Sequence, residues 1–241
     1  MTPQQREIMR DIVGAAARQA YLPDARAEHP GQLDVQPAAR DTAALAARFR
    51  LEFEALSGIV HEASSLDGIV AVVAGAATRL ATPNVLAWSD EAVGLPGLHD
   101  RLAAAGLAPV DAALDHGGAR RPGQIAALDS ASIGLTSVDA AIADTGTIVV
   151  ASGPGRPRLA SLLTPVHFAI VRHQDIVASL RALVRARPAL VTAGSNFVAI
   201  TGPSRTADIE HTLSRGVHGP GEVHVILVSD ELRGTSYESN G

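Results

Sequence analysis

From residue 41 onward the chain alternates short apolar runs with stretches of helical periodicity, and this alternation restricts the fold more than any other feature. Residues 42–57 place Leu45, Phe49, Phe53 and Leu56 on one helical face. The pattern then predicts a short strand at 58–61, a buried helix over 66–80, a strand at 84–88, a helix over 96–105 and a weak strand at 108–112. Further strands are expected at 130–136, 147–151, 166–171, 196–201 and 223–228. A short helix near 138–143 and a longer one over 175–187 fall between them. Strands alternating with helices argue for an α/β fold, a mainly parallel sheet covered by helices. With 241 residues, 46% of them hydrophobic, the chain can bury one sizeable core. Aromatics make up only 3%, so Ala, Val, Leu and Ile must fill that core.

Residues 1–40 read separately. Ile8, Met9, Ile12, Val13 and Ala16 recur at helical spacing, and Pro23, Pro30, Gly31 and Pro37 break the stretch that follows. The expected organisation is an N-terminal amphipathic helix and linker over 1–40, then an α/β domain over 41–241.

Composition removes several kinds of chemistry. There is no cysteine, hence no disulfide, no thiol nucleophile and no cysteine-ligated iron–sulfur cluster in this chain. There is also no lysine, which excludes a Walker A loop and Schiff-base chemistry, covalent pyridoxal phosphate included. A net charge of −5 and scarce aromatics give no footprint for nucleic acid or an anionic membrane. No secretory leader and no apolar run of spanning length are apparent, so cytoplasm is the expected compartment.

The densest polar stretch is GPSRTADIEHTLSRGVHGP, residues 202–220, set between two apolar runs. It reads as a turn, a helix capped by Ser204 or Thr206, a break at Gly216, and a constrained loop at His218. In open α/β sheets such groups are expected beyond the carboxyl ends of strands. Backbone N–H groups at a helix start, with Arg205, suit a carboxylate or phosphate, whereas simple capping needs no ligand. Asp208, Glu210 and His211 follow within about two turns.

A second motif is Asp144-Thr145-Gly146-Thr147, where Gly146 permits a tight backbone approach to a ligand and Asp144 is a candidate base or orienting group. An ordinary turn with Asp144 capping local N–H groups is the plainer alternative. A third, residues 153–158, has Gly153, Gly155, Arg156 and Arg158 but lacks the third glycine of a dinucleotide fingerprint. His61, His167, His173, His211, His218 and His224 form no H-E-x-x-H pattern, so no metal site is expected. No G-x-S-x-G elbow is present.

Three ordered blocks carry a family resemblance: GLTSVDAAIADTGTIVV, LASLLTPVHFAIV and ITGPSRTADIEHTLSRGVHGPGEVHVILV. They resemble the LUD domain, the lactate-utilization domain, across residues 133–228, and the length and N-terminal helix resemble one branch of that family. The resemblance implies a three-layer α/β/α sandwich similar to the sugar-phosphate isomerase and CoA-transferase-like superfamily. It also implies a part in oxidising L-lactate to pyruvate beside partners that carry iron–sulfur clusters. The motifs fall on Asp144, Thr145, Gly146, Thr147, Gly202, Pro203, Ser204, Arg205, Thr206, Asp208, Glu210, His218, Gly219 and Pro220. Where the family has Glu before Thr-Gly-Thr, this chain has Asp144, one methylene shorter.

The expectation is therefore a cofactor-free subunit or accessory protein of a lactate-oxidation system. Thr145, Gly146, Thr147, Gly202, Ser204, Arg205 and Thr206 are its ligand-binding candidates, and Asp144, Asp208, Glu210 and His218 its candidate catalytic groups. Two alternatives stand beside it: an independent enzyme acting on a phosphorylated or CoA-linked small molecule, and a ligand-sensing or assembly module without chemistry.

Overall fold

The computed structural model describes residues 41–111, 119–153, 155–192, 196–207, 213–216, 218–229 and 232, with the backbone alone at 191–192, 205–207 and 213–215. The expected N-terminal helix and the side chains of Asp208, Glu210 and His211 lie outside the described residues.

Helix α1 (Thr42–Ala55) starts where the Asp41 carboxylate accepts hydrogen bonds from Ala43 N and Ala44 N, at 3.0 and 3.1 Å. Its core-facing Phe49 and Phe53 are fully buried, their rings stacked at 5.4 Å. Strand β1 (Ile59–Ala63) follows, then α2 (Leu66–Leu80), which Ser65 caps through Gly68 N. Next come β2 (Asn84–Ala87), α3 (Asp90–Val93), α4 (Leu98–Ala104), β3 (Ala108–Asp111), α5 (Arg121–Asp129) and β4 (Ile133–Ser137). The chain continues through β5 (Ala140–Ile142), β6 (Thr147–Ser152), a 3-10 turn (Arg158–Ser161), β7 (Val166–Arg172) and β8 (Ile176–Val177). Then come α6 (Leu180–Ala186), α7 (Pro188–Thr192), β9 (Asn196–Ile200), β10 (Arg205–Ala207), β11 (Leu213–Arg215) and β12 (Glu222–Val228).

Six strands form one parallel sheet in the order β1-β12-β7-β4-β2-β3. Pairing of Ile59 with His224 and of His224 with Phe168 puts His61, His224 and Phe168 on one face. Helix α2 covers that face, where Arg79 reaches Glu222. The opposite face carries His167 and Thr136. There the 3-10 turn packs so closely that a Cβ on Gly134 would sit 2.7 Å from Thr164 Oγ1 and closer still to Ala160 O. Helix α1 lies on this second side, its Arg50 paired with Glu62. Helices on both faces of a parallel sheet make the three-layer arrangement.

A second, four-stranded sheet, β8-β5-β6-β9, joins antiparallel and parallel pairs around Ala140, Ile142, Val149 and Leu183. Residues 138–143, expected as a short helix, instead supply β5. The apolar run folds back on β6 as a hairpin whose turn holds Gly146 at φ +57°. The helix expected over 175–187 begins only at Leu180, because Ile176 and Val177 pair with β5. The helix expected after Gly202 is replaced by a small antiparallel hairpin, β10 with β11, in which Thr206 faces Ser214.

Candidate functional site

The polar blocks gather at the amino ends of the parallel strands, not the carboxyl ends. Glu222 opens β12 and Val166 opens β7, and Gly221 N donates to Pro165 O at 2.9 Å between them. Ser204 N donates to Pro220 O at 2.8 Å, and Gly216 N to Ser204 O at 3.1 Å. These bonds tie the start of the β10–β11 hairpin to the loop that enters β12. Gly202, at φ +118°, lets the chain pass Leu56 at the end of α1; a Cβ there would lie 3.0 Å from Leu56 O.

The hydroxyls of Thr145, Thr147 and Thr201 form a chain of hydrogen bonds, 2.8 Å from Thr145 to Thr147 and 3.1 Å from Thr147 to Thr201. Thr147 is thus held by two threonines and not by Asp144. Asp144 is exposed, and its backbone N–H donates to Ala178 O at 3.1 Å. Gly146 makes a close approach, but to helix α1. A Cβ there would lie 2.6 Å from Glu52 C and 2.7 Å from Phe53 Cα. The first and third blocks are therefore brought together through Thr147, Thr201 and the three residues that follow. Arg205 and Thr206 belong to β10, whose backbone alone is described, and Asp208 and Glu210 lie outside the described residues.

A cleft of about 730 Å³ opens at this edge. Exposed His218 lines it together with Gly219, Glu222, Leu80, Leu163 and Thr164. Behind Glu222 runs an array that sequence reading missed. Arg79 donates to both Glu222 oxygens, at 3.1 and 2.6 Å. His224 Nε2 lies 3.3 Å from Glu222 Oε2, and His61 Nε2 lies 2.9 Å from His224 Nδ1, with the two imidazoles stacked. The Arg79 hydrogen bond holds the Glu222 carboxyl below its usual range. Burial lowers the pKa of both His61 and His224, with Glu222 partly countering it at His224. The carboxylate thereby sets the tautomers: His224 donates from Nε2 to Glu222 and accepts at Nδ1 from His61. Across the sheet, His167 is wholly buried, bonded through Nε2 to Thr136 Oγ1 at 2.9 Å, with Nδ1 unpartnered. Burial, then the charge of His224, pushes its pKa down to about 3. In sequence the only sign of the array is that His61 and His224 both occur within apolar strand segments; their pairing is not local.

In the loop at residues 153–158, one of the two arginines is committed within the protein, while Arg158 is exposed. Arg156 pairs with Asp139 at 2.6 Å and lies 5.3 Å over the Trp88 ring. Among the described residues no group of three or more His, Cys, Asp or Glu is placed to hold a metal ion, and no helix is long and apolar enough to cross a membrane.

The architecture defines an α/β protein built on a six-stranded parallel sheet, with a second sheet carrying the Asp-Thr-Gly-Thr turn. The LUD domain model matches residues 46–228, and the chain belongs to that family. It is 33% identical over 167 residues to "Lactate utilization protein C" of Deinococcus radiodurans, covering 69% of this chain and 70% of that protein. To the protein of the same name from Exiguobacterium it is 42% identical over 106 residues, 42% of this chain and 45% of that one. The chain thus spans about half the length of the first curated relatives it matches. Among solved structures, a DUF162 family protein from Deinococcus radiodurans shares the fold, with TM-score 0.53 and 23% identity. That match covers 78% of this chain and 98% of the other.

Proposed function

We propose that this chain takes part in L-lactate utilization as a cluster-free subunit or accessory protein. In this reading it binds a small carboxylate, or an iron–sulfur partner, at the edge where the three blocks meet. The observation that carries it is the match to relatives named "Lactate utilization protein C", extending over 167 residues in one case. The site supports a binding role through its exposed His218, the fixed Glu222, and the tie between Ser204 and Pro220 that orders the loops around the cleft. The helix start that would have supplied anion-binding N–H groups is absent from 205–207, so Arg205 carries more of the expected affinity, with His218 and Asp208 positioning the ligand. Without cysteine the chain has no thiolate ligands for a cluster, so oxidation of lactate to pyruvate would draw its electron acceptor from partner proteins.

Titration calorimetry of the purified chain with L-lactate and pyruvate tests the site. Arg205→Ala is expected to weaken binding by roughly ten- to a hundredfold, the effect of losing a charge-assisted pair. Growth on L-lactate of a strain lacking its own such protein, restored by this chain, tests the role. Unchanged affinity in Arg205→Ala sinks the site assignment; failure to restore growth sinks the role.

A further inference from the structure

Four strands lie at the edges of the two larger sheets, and three of them are protected. β3 carries Pro109, which has no N–H, and exposed Asp111. β1 carries Glu62, whose side chain is 72% exposed. β8 is only two residues long. Proline, charge and short length are the devices that stop an edge from pairing with another chain. β9 has none of them. Its five residues, Asn-Phe-Val-Ala-Ile, include no charge and no proline. Ala199 is exposed, and Phe197, Val198 and Ile200 are half-buried.

The register identifies the backbone groups that this edge leaves free. In an antiparallel ladder the N–H and C=O of one residue point to the same side, and successive residues alternate. Val149 O accepts from Asp139 N, on the β5 side of β6. Ile148 and Val150 therefore turn theirs toward β9, where they face Ile200 and Val198. Phe197 and Ala199 consequently point their N–H and C=O groups away from β6, and these have no partner among the described residues. Such an edge is complementary to itself. Two copies of β9 running antiparallel about a two-fold axis at Val198 set Phe197 opposite the partner's Ala199. That pair exchanges both hydrogen bonds, and the symmetry repeats the exchange, so every free group is used. The Phe197 ring meets a small side chain there, on the face of the sheet that packs against Leu183. At the axis two valines face each other, and no like charges oppose.

We propose that a second copy of this chain docks on β9, joining two four-stranded sheets into one continuous sheet across a two-fold axis. β9 runs directly into Thr201, whose hydroxyl bonds to Thr147, so the pairing braces the strand that leads into the third block. The test is sedimentation velocity of the full chain from about 1 to 300 μM, where a reversible dimer is expected. Ala199→Pro removes an N–H that points away from β6, so the fold is kept while two of the four bonds between copies are lost. Ala199→Lys sets charge and bulk opposite Phe197. Each should weaken association by about tenfold or more. Ile59→Lys, at an exposed position of β1, should leave it unchanged. Because the chain has no cysteine, Val198→Cys supplies one thiol per copy. Across a non-hydrogen-bonded pair the two Cα atoms would stand about 4.5 Å apart, within the span of a disulfide. Oxidation should therefore cross-link Val198→Cys and not Ile59→Cys. A wild-type chain that stays monomeric throughout overturns the proposal. Undiminished association in Ala199→Lys, or loss of the dimer in Ile59→Lys, overturns it as well. Should the Ala199 variants fail to fold by circular dichroism, the Val198→Cys cross-link decides, and its absence refutes the pairing.

Discussion

Gly146→Ala isolates the physical reason for the glycine in the Asp-Thr-Gly-Thr turn. Two costs are separable. The position sits at φ +57°, where an L side chain costs about 1–2 kcal/mol. The new Cβ would also lie 2.6 Å from Glu52 C and 2.7 Å from Phe53 Cα, so a hairpin and a helix must part by several tenths of an ångström. Overpacking of this kind costs typically about 1–3 kcal/mol. The sum, about 2–5 kcal/mol, corresponds to a fall in Tm of roughly 4–20 °C for a domain of this size. Gly97→Ala is the matched control. Its φ is +82°, yet a Cβ there would meet nothing within 4 Å, so only the conformational cost applies. Urea denaturation of both variants, followed by circular dichroism, gives the comparison. If the two lose equal stability, the close approach to α1 contributes nothing and the packing argument fails. A ligand that needed the same glycine would add a loss of binding to a fold that had already weakened. Stability must therefore be measured before any binding defect is assigned to the motif.

Acid should destabilise the domain. His61, His167 and His224 all have folded-state pKa values below the ordinary histidine value, so the unfolded chain binds more protons and stability rises with pH. Going down from about pH 6.5, the stabilisation drains away, and the His167 share continues to about pH 3. Glu222, with its pKa lowered, adds a loss of the same sign at more acid pH. Chemical denaturation at a series of pH values checks this, and His61→Phe, which keeps a ring beside Phe168, should flatten the slope near pH 6. Arg156→Ala should cost about 1–2 kcal/mol through the lost Asp139 pair and the lost contact over Trp88. Trp88 is the chain's single tryptophan, so its emission should shift in the folded variant; an unchanged spectrum would contradict the stacking.

Elements with a strong local period were legible from sequence. Helix α2 spans the expected residues because Ile69, Val70, Val73, Ala76 and Ala77 repeat on one side and Ser65 caps it. Strands β7 and β12 were legible as continuous apolar runs buried on both faces. The second sheet was not. Its β5 is three residues of an Ala-rich run with no period to distinguish strand from helix, and it becomes a strand only by pairing with β6 and β8. Residues 202–220 misled for a related reason. Turn signals and a capping serine suit a helix locally, but Ser204 and Gly216 bond to each other and draw the segment into a hairpin. The edge of the sheet on which those groups fall then depends on which strand the loop feeds: it enters β12, so they lie at its amino end. The His61–His224 contact was hidden because it spans 163 residues.

That separation matters during synthesis. β12 inserts between the edge strand β1 and β7, so an interior strand of the parallel sheet is laid down last. At about 5–20 residues per second a ribosome needs roughly 8–30 s to travel from His61 to His224, which are 163 residues apart. Throughout that interval β1 has no neighbour in the sheet, and β7, once made, has one bare side, each a template for pairing with another nascent chain. The finished domain hides the side of β7 and one side of β1. A chain that stalls short of Glu222 leaves them open, so slow elongation over the last third of the domain is expected to lengthen the time in which such pairing can occur.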